Sequence, residues 1–427
     1  ATTEIYTLSL HDALPISYFC MAPWVHLYVS PDASVGSCCS LQDNLGHLSK
    51  GTLKDIWNSK DNKQMRLSML DDKPIESCRR CYNEESLGLW SLRNTINSKH
   101  KHLFHIVDET EKDGSFRYNN IYVDIRFSNL CNFRCRMCNS QYSSSFFKEA
   151  KRAEKHYGRK DTKELGLVGN FSDNKVIRAK DFSKEELWPQ IEEVVDNCES
   201  IYFAGGEPLL MDEHYKIIKR FINTNRYDVD ISYSSNFSKL KYKDLNFLDV
   251  WPKFKKLSIA VSLDGKEEVG EYIRYGQNWK RTEQNLEDFR KKVGMQHLWL
   301  TPTVSCLSAL HLPDMYRHVV DKGWFKPSQL YLIPINHPRA FMPQAIPQKV
   351  KEKIKNKYEE LGKWLRSIGE NLTASRWENM IDYIYSQDLS KIFTNVVRHS
   401  IFIDEMRGNK GEFFKTFPEY KFIKDRL

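Results

Sequence analysis

An α/β architecture built on a parallel sheet is predicted by three features of this sequence. From residue 118 to about 335, short β-branched and aromatic runs alternate with helical stretches, the pattern of parallel strands joined by right-handed crossovers. Glycine-rich and polar sites fall just after several of these runs, where open sheets and barrels of this class place their ligands. On either side the pattern changes, to a cysteine-bearing unit over residues 19–110 and to charged helices over residues 336–427.

With 427 residues the chain has room for two or three domains. Its 41% hydrophobic, 13% aromatic and 28% charged residues are a folded composition and exclude disorder. A net charge of +8 is mild at this length and suits an anionic cofactor or an acidic peptide. No basic patch interleaved with aromatics is visible, so nucleic acid is not an expected partner. Ten cysteines are too sparse for a disulfide scaffold. Their Cys-x-x-Cys and Cys-x-x-x-Cys spacings favour metal or cluster ligation in a reducing, cytoplasmic setting. No apolar run approaches the roughly 20 residues that span a membrane. Residues 1–18 form a tail in which Leu8, Leu10, Leu14 and Ile16 are interrupted by Glu4, His11, Asp12 and Pro15. It lacks the basic flank and continuous apolar core of a secretory signal, and residues 7–17 resemble translated sequencing-adapter sequence.

In the N-terminal unit, Val25, Leu27 and Val29 alternate and Pro31-Asp32-Ala33-Ser34 supplies a turn, so residues 28–39 read as a hairpin. Leu53, Ile56 and Trp57 begin a short helix, Met65, Leu67, Met69 and Leu70 follow, and Cys78 and Cys81 close the unit. The core opens with a strand carrying Ile121, Val123, Ile125 and Phe127. A helix over 182–195 is expected with Asp181 as its cap. Strands follow over 200–204, 230–234, 257–263, 298–305 and 329–335, with Pro302 marking an edge or bulge. Helices over 214–223, 285–293 and 313–320 lie between them. Beyond Pro338, residues 350–368 and 377–385 are helical, and Ile401, Phe402, Ile403 and Met406 precede Arg407-Gly408. This region reads as structural cover or a lid facing the substrate.

The loop after the first core strand reads Cys131-Asn132-Phe133-Arg134-Cys135-Arg136-Met137-Cys138. Three thiolates on one short loop leave the fourth corner of an iron–sulfur cube without a protein sulfur. A small molecule can ligate that open iron, which points to an enzyme and not to a passive electron carrier. The cysteines alone also admit a zinc knuckle. With Gly205-Gly206-Glu207-Pro208 at the end of the next strand, however, residues 118–335 resemble the radical S-adenosylmethionine (SAM) family. The resemblance implies a partial (β/α)6 TIM-like barrel and a [4Fe–4S] cluster on Cys131, Cys135 and Cys138. It also implies S-adenosyl-L-methionine on the open iron, through its amino and carboxylate groups. One electron from an external reductant such as flavodoxin or ferredoxin would then cleave the sulfonium, giving methionine and a 5′-deoxyadenosyl radical that removes a substrate hydrogen. Carried onto this sequence, Gly205 and Gly206 meet the methionine amino group by backbone, Glu207 assists or fixes the loop, and Pro208 limits its freedom. Met137 stands where the family commonly has an aromatic residue near adenine. Asn236 is placed for a polar cofactor contact, Ser262 for the ribose and Arg274 for the methionine carboxylate, whose geometry suits a guanidinium fork. Asp264 reads as a turn residue beside these.

Cys20, Cys38, Cys39, Cys78 and Cys81 offer four ligands with one to spare, and their spacing alone admits zinc or iron–sulfur. Residues 20–85 resemble an auxiliary-cluster module of the SPASM or twitch type, through Cys20, Cys38, the run from Gly51 through Trp57, Arg66 and Cys78-x-x-Cys81. Ala33 stands where that module commonly has glycine, and the module precedes the core it generally follows. The resemblance implies one auxiliary [4Fe–4S] cluster on Cys20, Cys38, Cys78 and Cys81, serving electron relay or structure, with Cys39 left to packing. Cys198 reads as core. Cys306, after the strand over 298–305, is the candidate catalytic residue, returning a hydrogen atom as cysteine does in some peptide epimerases of the wider family. Asn336, His337 and Arg339 follow the last strand and are placed at the substrate opening. The expected function is radical modification of an unactivated C–H site on a peptide or small metabolite. The alternatives are tRNA modification and a non-catalytic iron–sulfur interaction or electron-transfer protein.

Overall fold

The computed structural model describes residues 18–86, 88–118, 120–158, 160 and 173–427. The expectations for the tail before Tyr18 fall outside them. The chain divides by its internal contacts into two compact units, one of Ala1–Phe127 with Arg178–Tyr202 and the other of Ser128–Ile177 with Phe203–Leu427.

In the first unit, strands β1 (His26–Val29), β2 (Ser34–Gly36), β3 (Gly46–His47), β4 (Tyr122–Ile125) and β5 (Ser200–Phe203) lie in the order β5-β4-β1-β2-β3. The predicted hairpin is present as the antiparallel pair β1–β2, and β1 also runs parallel to β4, pairing His26 with Tyr122 and Val29 with Ile125. Strand period two puts Leu27, Val29, Val123, Ile125 and Ile201 on one buried face. Ala33 turns the hairpin at φ 66, which explains why related modules favour glycine here. Arg66, on the helix Lys60–Leu70, is fully buried. Its guanidinium donates to the carbonyl oxygens of Pro23, Trp57 and Gly114 and to Asn58 Oδ1, and it stacks over Trp57. The module thus gathers around one cation that has four oxygen partners and, among the described residues, no carboxylate.

The second unit holds β6 (Asp230–Ser235), the hairpin β7 (Lys241–Tyr242) and β8 (Leu245–Asn246), then β9 (Lys256–Val261), β10 (Leu298–Leu300), β11 (Thr303–Val304) and β12 (Ile333–Pro334). Strands β6, β9 and β10 are parallel neighbours in that order, and β11 pairs in parallel with β12. Helices Asp212–Asn223, Trp279–Lys292 and Leu312–Asp321 follow strands as the β-α reading requires. Five boundaries differ from expectation, two of them because the helices expected over 285–293 and 377–385 begin six residues earlier, at Trp279 and Asn371. The helix placed over 182–195 starts only at Leu187, because Asp181 ends a separate 3-10 turn and the Lys184 amide is drawn to the Leu48 carbonyl. The strand over 298–305 breaks at Thr301-Pro302 into β10 and β11, since proline has no amide for the ladder. The strand over 329–335 shrinks to Ile333–Pro334 plus an isolated bridge between Leu330 and Leu300. The C-terminal region is helical as predicted, over Gln348–Ser367, Asn371–Tyr385 and Phe393–Arg407. Among the described residues, no helix is long and apolar enough to cross a membrane.

Candidate active site and cluster sites

The three cysteines of the Cys131 loop are free thiols, each half-buried. The loop is shaped from both ends. Phe133 is buried beneath it, and its amide donates to Cys131 Sγ at 3.4 Å. The amides of Arg134 and Arg136 bond to the carbonyls of Tyr275 and Ile273, both at 2.8 Å. Burial raises all three thiols, and Cys135 stands next after that effect in raising Cys131 and Cys138. At Cys135 the nearby positive charges of Arg274 and Arg407 oppose the rise. Three thiols with an amide donor and two cations beside them are a donor set suited to an anionic cluster bound as thiolates.

The Gly205-Gly206 strand end lies directly against this loop. Gly205 and Gly206 have φ of 77 and 48. A Cβ on Gly206 would stand 2.3 Å from the Leu130 carbonyl oxygen, and the Glu207 amide donates to that same oxygen at 2.7 Å. Only glycine permits so close an approach of two backbones. Pro208 begins a short 3-10 turn that leads the chain away. Glu207 is buried, and its carboxylate accepts from the Leu209 amide, from Ser235 Oγ at 2.9 Å and from the Asn236 amide at 2.8 Å. Burial pushes it up to about 7 against these bonds. It fixes the loop, by tying the glycine turn to the end of β6.

Asn236 in turn donates from Nδ2 to Asn132 Oδ1 at 3.0 Å, inside the cysteine loop. Ser262, just past β9, is half-buried and its amide bonds to the Ser235 carbonyl. Arg274 is engaged by fully buried Asp264, with Nε 2.8 Å from one carboxylate oxygen and Nη2 3.1 Å from the other. Asp264 also accepts from the Thr303 amide at 2.7 Å. It therefore orients the guanidinium, a role its reading as a turn residue did not include. Met137 is half-buried in the loop. Cys306 is 1% exposed, with Sγ against the Ala340 carbonyl and its own carbonyl held by the Tyr420 hydroxyl at 2.7 Å. Cys198 is fully buried, as predicted.

A second set of residues meets this loop, of which the sequence points only to Arg407, as a turn residue that contacts substrate or docks the tail. Buried Arg136 forms an ion pair with Asp404, donates to the Ser400 carbonyl at 3.0 Å and lies 3.8 Å over the Tyr272 ring. Arg407, its side chain 1% exposed, pairs with Glu149 at 2.7 Å and donates to the Arg134 carbonyl, while Arg134 reaches the same carboxylate. The helix Phe393–Arg407 is thereby fastened to the residues between the three cysteines.

In the first unit, Cys20, Cys38, Cys78 and Cys81 line one pocket together with Tyr82 and Arg93. Cys39 does not line it and instead meets the Arg126 guanidinium. Burial pushes Cys20 up to about 12 and Cys78 up to about 11. The amide of Ala22 acts on the Cys20 sulfur and that of Arg93 on the Cys81 sulfur. Neutral thiols gain little from such donors, whereas metal-bound thiolates gain much.

Two family models match the chain. The iron-sulfur cluster-binding SPASM domain covers residues 20–82, and the radical SAM superfamily covers residues 125–303. The chain carries a radical SAM domain with a SPASM domain ahead of it. Its fold is α/β, consistent with that superfamily's partial barrel, and its two domains imply a SAM-binding [4Fe–4S] cluster, S-adenosylmethionine and auxiliary iron–sulfur. Among solved structures, it is similar to native anSMEcpe with bound AdoMet and Cp18Cys peptide, at 19% identity over 42% of this chain and 52% of that one, with a TM-score of 0.31. Native anSMEcpe with bound AdoMet gives 18% identity over 42% and 49%, with a TM-score of 0.30. The chain spans about half the length of these structures. No curated protein matches it.

Proposed function

We propose that this chain binds S-adenosylmethionine between the Cys131 loop and the Gly205-Gly206 strand end and uses it to abstract a hydrogen from a peptide or a small metabolite. The observation that carries this reading is the direct hydrogen bond of the Glu207 amide to the residue preceding the first cysteine. It brings the glycine turn and the loop into one cleft. When bound, the cluster and cofactor supply one-electron cleavage of the sulfonium and the resulting 5′-deoxyadenosyl radical. The chain's own part is positional. Cys131, Cys135 and Cys138 hold the cluster, the carbonyl groups of the glycine turn receive the amino group, and Arg274, oriented by Asp264, faces the carboxylate. Glu207 and Asn236 keep turn and loop together, and Ser262 and Met137 serve the nucleoside.

The reading extends to a SPASM-type module over residues 19–110, a core over 118–335 and a helical C-terminal region over 336–427. Cys20, Cys38, Cys78 and Cys81 are assigned to one auxiliary cluster, closed by four protein ligands. Its role is relay or structure, fed by an external one-electron reductant, in a reducing cytoplasm that keeps the thiols free. The enclosure of Cys306 supports packing over hydrogen donation.

The test is anaerobic iron and sulfide content paired with reductant-dependent release of 5′-deoxyadenosine. Two four-iron clusters require about eight irons. Cys38→Ala should lose about half of them, and Cys39→Ala should keep them all. A fully loaded, reduced protein that releases no 5′-deoxyadenosine with or without candidate substrates refutes the catalytic reading.

A further inference from the structure

The sheet of the first unit has a second face. Leu27, Val29, Val123, Ile125 and Ile201 fill one side, and the strand period of two sends Tyr28, Asp124 and Tyr202 to the other. These three lie side by side, because Tyr28 pairs with Asp124 and Asp124 with Tyr202 across β1, β4 and β5. Arg126 follows two residues after Asp124 on the same face, its amide still bonded to the Val29 carbonyl at 2.8 Å. The Asp124 side chain is sealed at 1% exposure, whereas that of Arg126 keeps 18%. Both tyrosines are half-buried.

Two other arginines of this unit show how a purely structural guanidinium is held. Arg66 is sealed and gives Nε, Nη1 and Nη2 to four oxygens at 2.9–3.1 Å. Arg93 grips Glu85 through Nε and Nη2 and gives Nη1 to the Phe19 carbonyl at 3.2 Å. Arg126 differs from both. Its bonds go to Asp124 alone and are long, Nε to Oδ1 at 3.4 Å and Nη2 to Oδ2 at 3.3 Å, against roughly 2.7–2.9 Å for a well-made charge-assisted pair. Nη1 has no oxygen acceptor among the described residues, and the Cys39 thiol beside the guanidinium is only a weak acceptor. The guanidinium lies 5.0 Å over the Tyr28 ring, a contact that fixes it without consuming an N–H. One carboxylate and one ring therefore hold a cation that can be reached and has donors to spare.

The geometry points to Arg126 as the residue that takes a carboxylate of the substrate, with Asp124 positioning the guanidinium. This rests on the reading of the chain as an enzyme that abstracts hydrogen from a peptide or small metabolite, and it narrows that substrate to a carboxylate-bearing one. Cys131 comes five residues after Arg126 and Gly205 three residues after Tyr202, so both residues stand near the ends of strands that lead into the cofactor residues, where folds of this class bind their ligands. The planar fork matches a carboxylate. Asp124 already balances one charge, so a singly charged carboxylate suits the site better than a doubly charged phosphate, which the buried carboxylate repels.

The test uses phenylglyoxal, which modifies reachable guanidinium groups, on the anaerobic holoprotein, with labelling at each arginine read by peptide mass spectrometry. Arg126 should label and sealed Arg66 should not. Saturating N-acetylalanine or acetyl-Gly-Glu-Gly-amide should slow labelling of Arg126 about tenfold, and the matched amides, N-acetylalaninamide and acetyl-Gly-Gln-Gly-amide, should leave it unchanged. Protection by the small acid alone assigns the carboxylate to a metabolite, and protection by the peptide alone assigns it to a peptide side chain. An Arg126 that does not label, labelling that neither acid slows, or labelling that inorganic phosphate slows as well as the acids do overturns the proposal. Arg126→Lys keeps the charge and loses the fork. At equal iron content its affinity for the protecting acid, measured by saturation-transfer NMR, should fall about tenfold, and an equal affinity also overturns the proposal. Release of 5′-deoxyadenosine is measured on the same unmodified protein. Release without acid-selective protection removes the carboxylate receptor and leaves the enzyme reading intact. Protection in a loaded, reduced protein that never releases 5′-deoxyadenosine removes the enzyme reading, and with it the substrate role of Arg126.

Discussion

Gly206→Ala tests the link between the glycine turn and the cysteine loop. The new Cβ would meet the Leu130 carbonyl oxygen at 2.3 Å and its carbonyl carbon at 2.9 Å, whereas ordinary van der Waals contact begins at 3.4 Å. The two backbones must therefore part by about 1.1 Å, the difference between 3.4 and 2.3 Å. They are joined by the Glu207–Leu130 hydrogen bond of 2.7 Å, which that movement breaks. Lost hydrogen bonding costs about 1 kcal/mol, and a left-handed φ on alanine about 1 kcal/mol more. Overpacking adds about 1–3 kcal/mol. The sum, about 3–5 kcal/mol, is felt by the cleft before it is felt by the rest of the unit. The cysteines stay on their loop, so iron and sulfide content should persist. Affinity for S-adenosylmethionine should fall at least tenfold, with 5′-deoxyadenosine release falling with it. The assay is equilibrium binding of the cofactor to anaerobically reconstituted protein, alongside iron counting and a denaturant melt. A Gly206→Ala protein with full iron, unchanged cofactor affinity and unchanged stability would refute the claim that this close approach forms the cofactor cleft.

Three further outcomes follow from buried charges. Arg66→Met takes the donor from the Pro23 and Gly114 carbonyls, while the Trp57 carbonyl and Asn58 Oδ1 keep bonds from Asn62 and the Phe116 amide; a loss of about 2–3 kcal/mol is expected in urea melts. Asp404→Asn leaves the Arg136 guanidinium buried without a counter-charge, a change that typically costs about 3–5 kcal/mol; loosened packing of helix Phe393–Arg407 should appear as faster amide exchange there. His26, His214 and His399 are each held down to about 3 by burial. Because these folded values lie below the unfolded one, their contribution is complete above pH 6.5 and is lost as pH falls, at up to about 1.4 kcal/mol per pH unit each. Glu207, pushed up to about 7, works in the opposite sense and offsets one of them. Melts of the apoprotein at pH 7 and 5.5 should show the loss, and His26→Phe should flatten the slope by one share.

What was legible in the sequence was whatever repeats locally. Alternating Leu27 and Val29, or Val123 and Ile125, announced strands because one face of each is buried. The cysteine loop and the glycine turn were legible because both are short and contiguous. The helix start misplaced at residue 182 had a plausible cap in Asp181, but a tertiary bond from Lys184 to Leu48 holds that segment out of the helix. Asp264 looked like a turn residue because its partners, Arg274 and Thr303, lie 10 and 39 residues away. Choosing between Cys38 and Cys39 was beyond adjacent letters. The structure separates them by direction, one into the four-cysteine pocket and the other toward Arg126.

The ion pair between Arg136 and Asp404 spans 268 residues. A ribosome adding about 5–20 residues per second emits the cysteine loop roughly 13–54 s before the helix that fastens it. During that interval the loop has its cysteines but not its clamp, and a nascent chain stalled short of residue 393 would carry Arg136 without the Asp404 carboxylate that pairs with it in the folded protein.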